Sequence, residues 1–317
     1  MIKKISLGLL GLVVLTFGLA YLFYLEFRSE QLEALESGSQ IADTSAGPIE
    51  YRLSGESGPI LLFLHGTPGG YDQLDEMSGF RFLAPSRPGY LRTPLSVGRS
   101  PTEQAHAYAA LLETLNIESV VVMGASGGGP SSISFAALYP EKTLALVAME
   151  AVSQSIPIED GPEMPAFMRS DFPMWAVLSI MKNFMGAEAI LKLLVPDEAI
   201  RELILGDAEK TESVGSLLWS AWPISQREAG LLNDFEQFDI LELPSGEVTV
   251  PTLIIHGTND ANVPFSQSEA LADQVPGSIL HVIEGGDHMM PFSHAEEIAV
   301  AIEQFLDSNN INQGAMI

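Results

Sequence analysis

An α/β architecture, with a mainly parallel sheet covered by helices on both faces, follows from three observations. Short apolar runs of buried-strand length recur along the 317 residues and stop at glycine or proline. Stretches with apolar residues at helical spacing separate them, an alternation that calls for parallel strands joined by crossover helices. One interval, residues 153–243, breaks the rhythm with helical patterning alone and reads as an inserted cap.

In order along the chain, Lys3 and Lys4 precede the uncharged run from Ile5 to Leu25. As a helix, a run of roughly twenty residues is about 30 Å long, the thickness of a bilayer core. Residues 1–28 are therefore expected to form an uncleaved transmembrane helix, a signal-anchor rather than a removed signal. The lysine bias would keep the amino terminus in the cytoplasm and place the main domain on the non-cytoplasmic side, periplasmic or extracellular. Residues 29–48 are polar, with Ser and Gly clusters, and are expected to be a linker.

The core is expected over 49–152 and 244–310. Its strands read as "PILLFLHG", "FRFLAPSRPG", "ESVVVMGAS", "KTLALVAMEAV", "VTVPTLIIHG" and "SILHVIEGG". Between the second and third, "SPTEQAHAYAALLETLNI" opens with Ser100 and Pro101, residues that start helices. "PSSISFAALYPE", "PFSQSEALADQV" and "HAEEIAVAIEQFLDS" supply further helices, and 311–317 is a tail. The cap interval is rich in Met, Phe and Trp, including Phe167, Met168, Trp175, Met181, Phe184, Met185, Trp219 and Trp222, expected to be cap core rather than ligand contacts.

Within the third strand segment, "GASGG" places Gly124 and Gly128 two residues either side of Ser126. A nucleophilic hydroxyl must be held up at a strand end near a base and backbone donors, and a sharp strand-to-helix turn does this. The turn crowds strand against helix, and glycines relieve the crowding. Gly127 then offers a peptide N–H at the helix start, where the dipole favours a negative oxygen. Phosphate-binding glycine patterns do not fit, because Ser126 and Ser132 fall where glycines would be required. In "FLHGTPGG" a loop after an earlier strand can turn a second N–H, that of Thr67, toward a developing oxyanion. Asp260 follows a strand in "HGTNDANVP", and His288 follows the last one in "EGGDHMMP".

Those motifs, with "SRPGY", stand in the order serine, acid, histidine, and the chain resembles the α/β-hydrolase fold superfamily over about Ile49 to Ser308. Within it the resemblance is to capped serine hydrolases: esterases, proline iminopeptidase-like enzymes and carbon–carbon bond hydrolases. It implies Ser126 as nucleophile, His288 as base, Asp260 as its orienter, and Thr67 and Gly127 as oxyanion donors. Glu150, at the end of the strand after Ser126, is the rival acid. Asp287 and Arg87 read as structural, and His65 and His256 as residues that hold loops. His106, His281 and His294 read as ordinary helix or strand positions.

Composition limits the partners. With 41 acidic and 15 basic residues the formal charge is -26, which repels phosphate backbones and argues against nucleic acid. Zero cysteines remove thiolate nucleophiles and zinc–thiolate sites, and no histidine pair has metal-ligand spacing. The expected activity is hydrolysis of a small, largely apolar carboxylic ester through an acyl-enzyme, with no cofactor, and the expected partners are that substrate and a membrane. Carbon–carbon bond hydrolysis, aminopeptidase activity, or ligand binding with slow or no turnover are the alternatives. The oligomeric state is not written in the sequence.

Overall fold

Eight strands form one sheet in the order β1-β2-β4-β3-β5-β6-β7-β8, in a computed structural model that describes residues 2–73, 80–157 and 165–311. The strands are β1 (Gln40–Thr44), β2 (Gly47–Ser54), β3 (Ile60–Leu64), β4 (Arg81–Pro85), β5 (Val120–Ala125), β6 (Thr143–Met149), β7 (Thr252–Gly257) and β8 (Ile279–Ile283). From β4 through β8 all neighbours are parallel, whereas β2 pairs antiparallel with both β1 and β4. The six strands read from the sequence are β3 to β8.

Strand alternation divides the core into two faces. Leu62, Leu64, Val120, Val122, Leu146, Ala148 and Ile254 share one cluster with α2 (Pro101–Thr114), α3 (Gly129–Leu138) and α9 (Ser266–Gln274). Leu61, Phe63, Val121, Met123, Ala145, Val147, Leu253 and Ile255 pack on the other face against Ile298, Ile302, Phe305 and Leu306 of α11 (Ala295–Ser308). Both faces are covered, so the strands read as continuous apolar runs. Each of the Val, Leu, Ile, Phe and Met side chains contributes about 1.5–3 kcal/mol on full burial. Helix α2 starts as its sequence requires: the Ser100 hydroxyl accepts from the Glu103 N–H, the Glu103 carboxylate accepts from the Ser100 N–H, and Pro101 occupies the first turn.

The interval between β6 and β7 carries α4 (Asp171–Ile180), α5 (Ala187–Leu194), α6 (Glu198–Leu205), α7 (Ala208–Trp219) and α8 (Glu228–Asp239), with no strand among its described residues. Met168, Trp175, Met181, Trp219 and Trp222 join one apolar cluster there, while Phe184 and Met185 are exposed. The short α10 (Met290–Ser293) lies between β8 and α11.

The amino-terminal expectations need correction. Helix α1 (Ile2–Ser37) runs unbroken past residue 28, and β1, the hairpin turn and the first two residues of β2 lie in the expected linker. The missed strands "QIADT" and "GPIEYRLS" mix polar and apolar residues because β1 is an edge strand, exposed at several positions. Among the described residues, no helix is long and apolar enough to cross a membrane, so the spanning anchor is not found there. The second half of α1 instead packs on the cap: Tyr24 is buried against Phe172 and Trp175, and the partly buried Phe27 meets Trp219 and Trp222. The tail beyond Ile311 lies outside the described residues.

Candidate active site

Parallel strands bring their carboxyl ends to one edge, and the expected residues follow four of those ends: Thr67 after β3, Ser126 after β5, Asp260 after β7 and His288 after β8. Ser126 sits at φ 49°, a left-handed conformation that an L residue adopts only when its surroundings impose it. The surroundings are glycines. A Cβ on Gly128 would fall 2.0 Å from the Leu64 carbonyl oxygen of β3, and one on Gly124 would fall 2.1 Å from the Ser132 hydroxyl of α3. Only hydrogen fits where the turn presses on strand and helix.

His288 bridges the other two groups. Its Nε2 lies 3.1 Å from Ser126 Oγ and its Nδ1 lies 2.6 Å from Asp260 Oδ2. The second Asp260 oxygen accepts the backbone N–H groups of Asn262 (2.8 Å) and Val263 (2.9 Å), which fixes the carboxylate. Glu150 stands farther away, its Oε2 3.9 Å from His288 Nδ1. The imidazole is thus oriented by Asp260, with Glu150 beside it. Glu150 is buried, has φ 42°, and its Oε2 has no hydrogen-bond partner among the described residues.

The electrostatics follow from that crowding. For Asp260, burial works upward, yet hydrogen bonds to His256 and His288, the His288 charge and the Val263 N–H outweigh it and hold the carboxyl well below its usual range. Glu150 has no such partner; burial first, then the charges of Asp260 and Asp287, lift it to about 8 against the pull of His288. For His288, burial pushes down, but the Glu150 charge and the Asp260 hydrogen bond and charge prevail and raise it to about 9. Glu150, Asp260 and His288 also offer three donor atoms within 4.8 Å of one another, the spacing of a possible metal site. There Nδ1 of His288 already shares a proton with Asp260.

The remaining predicted positions fall into place around this centre. His65 is buried and driven well below its ordinary value by burial and the Arg87 charge. Its neutral ring donates from Nδ1 to the Gly66 carbonyl and accepts the Arg87 N–H at Nε2. His256 spans Ser268 Oγ and the Val263 carbonyl, steadying the loop that carries Asp260. Asp287 caps its own turn through the Met289 N–H. His106, His281 and His294 contact Tyr139, Glu297 and Ser293, away from the centre. Thr67 and Gly127 line one cavity with Ser126 and His288, about 530 Å³ in volume. Its walls are apolar, with Met168, Leu194, Leu217, Leu218, Phe235 and Phe238 coming from the cap.

Sequence reading missed two buried cap residues that hold the loop bearing Thr67: Arg227, which donates to the Gly69 carbonyl and Asp72, and Asp234, which pairs with Arg87. Their partners lie 147 to 158 residues away, beyond any local pattern. The one local signal is an aspartate set among Leu231, Leu232 and Phe235 in a helix.

A hydroxyl on a strained strand-to-helix bend, an imidazole and a carboxylate, meeting over the carboxyl ends of a parallel sheet, define the site of an α/β-class hydrolase. The family model described as "Alpha/beta hydrolase family" matches residues 61–301, and the chain belongs to that family. It is similar to the uncharacterized hydrolase YcgS of Bacillus subtilis, 28% identical over 83% of this chain and 96% of that protein. It is also 29% identical to a 2-hydroxymuconate semialdehyde hydrolase of Pseudomonas putida, over 80% of this chain and 88% of the other. Among solved structures, an alpha/beta hydrolase fold protein from Nakamurella multipartita superposes with a TM-score of 0.78 at 31% identity, covering 84% of this chain and 98% of that one.

Proposed function

We propose that the protein is a serine hydrolase that cleaves a small, largely apolar carboxylic ester through an acyl-enzyme. Ser126 Oγ attacks the acyl carbon while His288 Nε2 takes its proton, and Asp260 holds the imidazole in the tautomer that can accept it. The N–H groups of Thr67 and Gly127 receive the oxyanion. His288 returns the proton to the departing alcohol, then activates the water that frees the acid.

The observation that carries this reading is the pairing of the Ser126–His288–Asp260 chain with a cavity that offers no lysine or arginine among its described lining residues. An anionic substrate such as a muconate semialdehyde would bring an unpaired carboxylate into apolar walls, at an effective cost on the order of several kcal/mol. Arg87 and Arg227, the nearby cations, are already committed to Asp234 and Asp72. The ammonium group of an aminopeptidase substrate would find only Glu150 among the described lining acids, and that carboxyl is lifted toward its neutral form beside the histidine.

Labelling by a fluorophosphonate probe, followed by turnover of p-nitrophenyl esters against a vinylogous diketone, tests the assignment. The wild type is expected to label and to prefer the ester, and Ser126→Ala is expected to do neither while keeping its circular-dichroism spectrum. An unlabelled wild type, or ester turnover retained by Ser126→Ala, would overturn it, and preference for the diketone would favour carbon–carbon bond hydrolysis.

A further inference from the structure

The loop that carries Thr67 is gripped from the cap. One carboxylate, that of Asp234 on α8, accepts the hydroxyl of Thr67 (2.5 Å), both terminal nitrogens of Arg87 (2.9 and 2.5 Å) and the hydroxyl of Tyr90 (2.6 Å). Asp234, Arg87 and Tyr90 are at most 2% exposed, so these bonds are made away from competing water. Arg87 reaches on to the same loop, donating from Nε to the His65 carbonyl (2.8 Å) and from Nη2 to Thr67 Oγ1 (3.0 Å). Seven residues earlier, about two turns, Arg227 holds the Gly69 carbonyl at 2.6 Å.

Helix α8 is itself fastened to the core, through Gly230 N–H to the Gly89 carbonyl (2.9 Å), and the turn just ahead of it through Leu91 N–H to the Gln226 carbonyl (2.7 Å). Thr67 meanwhile lies directly over the other expected donor, since a Cβ on Gly127 would come within 2.0 Å of its hydroxyl oxygen. A shift of Thr67 therefore changes the spacing between the two donors. No hydrogen bond among the described residues occupies the Thr67 backbone N–H.

We propose that Asp234 is a positioning residue for the oxyanion hole: seated in the cap, it holds Thr67 by its hydroxyl and Arg87 by its guanidinium, so that the hole is assembled only while α8 is docked. This rests on the serine-hydrolase reading of the same site. The carboxylate touches no reacting atom. Its effect reaches the chemistry through the position of one backbone N–H, and a donor placed for the transition state acts on the chemical step more than on substrate binding.

The test uses Thr67→Val, which keeps the shape of the side chain and removes its hydrogen bonds to Asp234 and Arg87, Thr67→Ser, which restores the hydroxyl, and Asp234→Asn. Each is assayed on a p-nitrophenyl ester and with two ligands of equal chain length. In a trifluoromethyl ketone the Ser126 oxygen adds to the carbonyl carbon and the carbonyl oxygen becomes the anion; the matching secondary alcohol forms no anion. Thr67→Val is expected to lower kcat roughly tenfold or more, with KM changed less than about twofold, and to weaken the ketone by a similar factor but not the alcohol. Thr67→Ser should recover most of the loss, and Asp234→Asn, where it folds, should behave as Thr67→Val. If the wild type labels and turns over but Thr67→Val equals it, this inference falls alone. Equal weakening of ketone and alcohol would mean a general loss of packing and would also overturn it. A wild type that neither labels nor turns over removes the hydrolase reading and the inference with it.

Discussion

His288 faces two carboxylates, and their unequal partners set how it works. Asp260 is fixed by two backbone N–H groups and a 2.6 Å bond to the imidazole, and these partners hold its carboxyl well below the usual range despite its burial. Glu150 at 3.9 Å is buried with an unpartnered oxygen and ionises with an apparent value near that of the imidazole, so the pair titrates together. A general base acts only when neutral. Because its carboxylate neighbours raise the imidazole to about 9, the rising limb of kcat/KM is expected above the ordinary histidine range, with activity growing as pH increases through that region. Glu150→Gln removes one of those charges, so the limb should move to lower pH while Ser126 remains reactive toward fluorophosphonate. A pH–rate profile compares the two proteins, and a limb that stays in place would show that Glu150 does not charge beside His288.

The turn from β5 into α3 works as one element, and its tolerance is set by contacts rather than by propensity. Gly128 faces the Leu64 carbonyl at the end of β3, so the serine, the sheet and the oxyanion loop are registered through backbone that cannot yield as a flexible side chain would. Gly128→Ala is expected to lower stability by about 3 kcal/mol or more, at the upper end of what overpacking costs, and to be seen as a large drop in Tm or as insoluble protein. An unchanged Tm would contradict the close approach. This element was legible in advance, since a valine strand, framing glycines and a following helix are all local signals. The positions of Ser126, Asp260 and His288 were legible for the same reason, each sitting just past an apolar run that ends in glycine. What could not be read was the hairpin of β1 and β2, whose strands mix polar and apolar residues at one end of the sheet, and the pairing of α8 with elements distant in the chain, where Asp234 and Arg227 gain meaning only beside Thr67 and Gly69.

At the scale of the whole molecule, the amino-terminal helix and the cap form one apolar unit. Phe17 and Tyr21 meet Phe172 edge-on, Tyr24 sits on Phe172 and Trp175, and Phe27 lies among Trp175, Trp219 and Trp222. Composition alone separated this helix from the domain, because a run of uncharged residues carries no mark of what it packs against. Its docked half covers aromatic surface that would otherwise face water, at a cost proportional to the area exposed. The same cluster includes Leu218 and Ala221, which line the cavity over Ser126, so loosening it reaches the substrate pocket. Deleting residues 2–28 should therefore lower Tm and raise KM for an apolar ester, whereas deleting residues 2–16 spares Phe17, Tyr21, Tyr24 and Phe27 and should leave KM unchanged. Tyr24→Ala in the full chain is expected to cost roughly 3–5 kcal/mol, the range for truncating a buried aromatic side chain. Differential scanning fluorimetry and ester kinetics on the three variants and the full chain check this. If the chain lacking residues 2–28 matches the full chain in both, the helix adds nothing to the cap, and the aromatic cluster is complete without it.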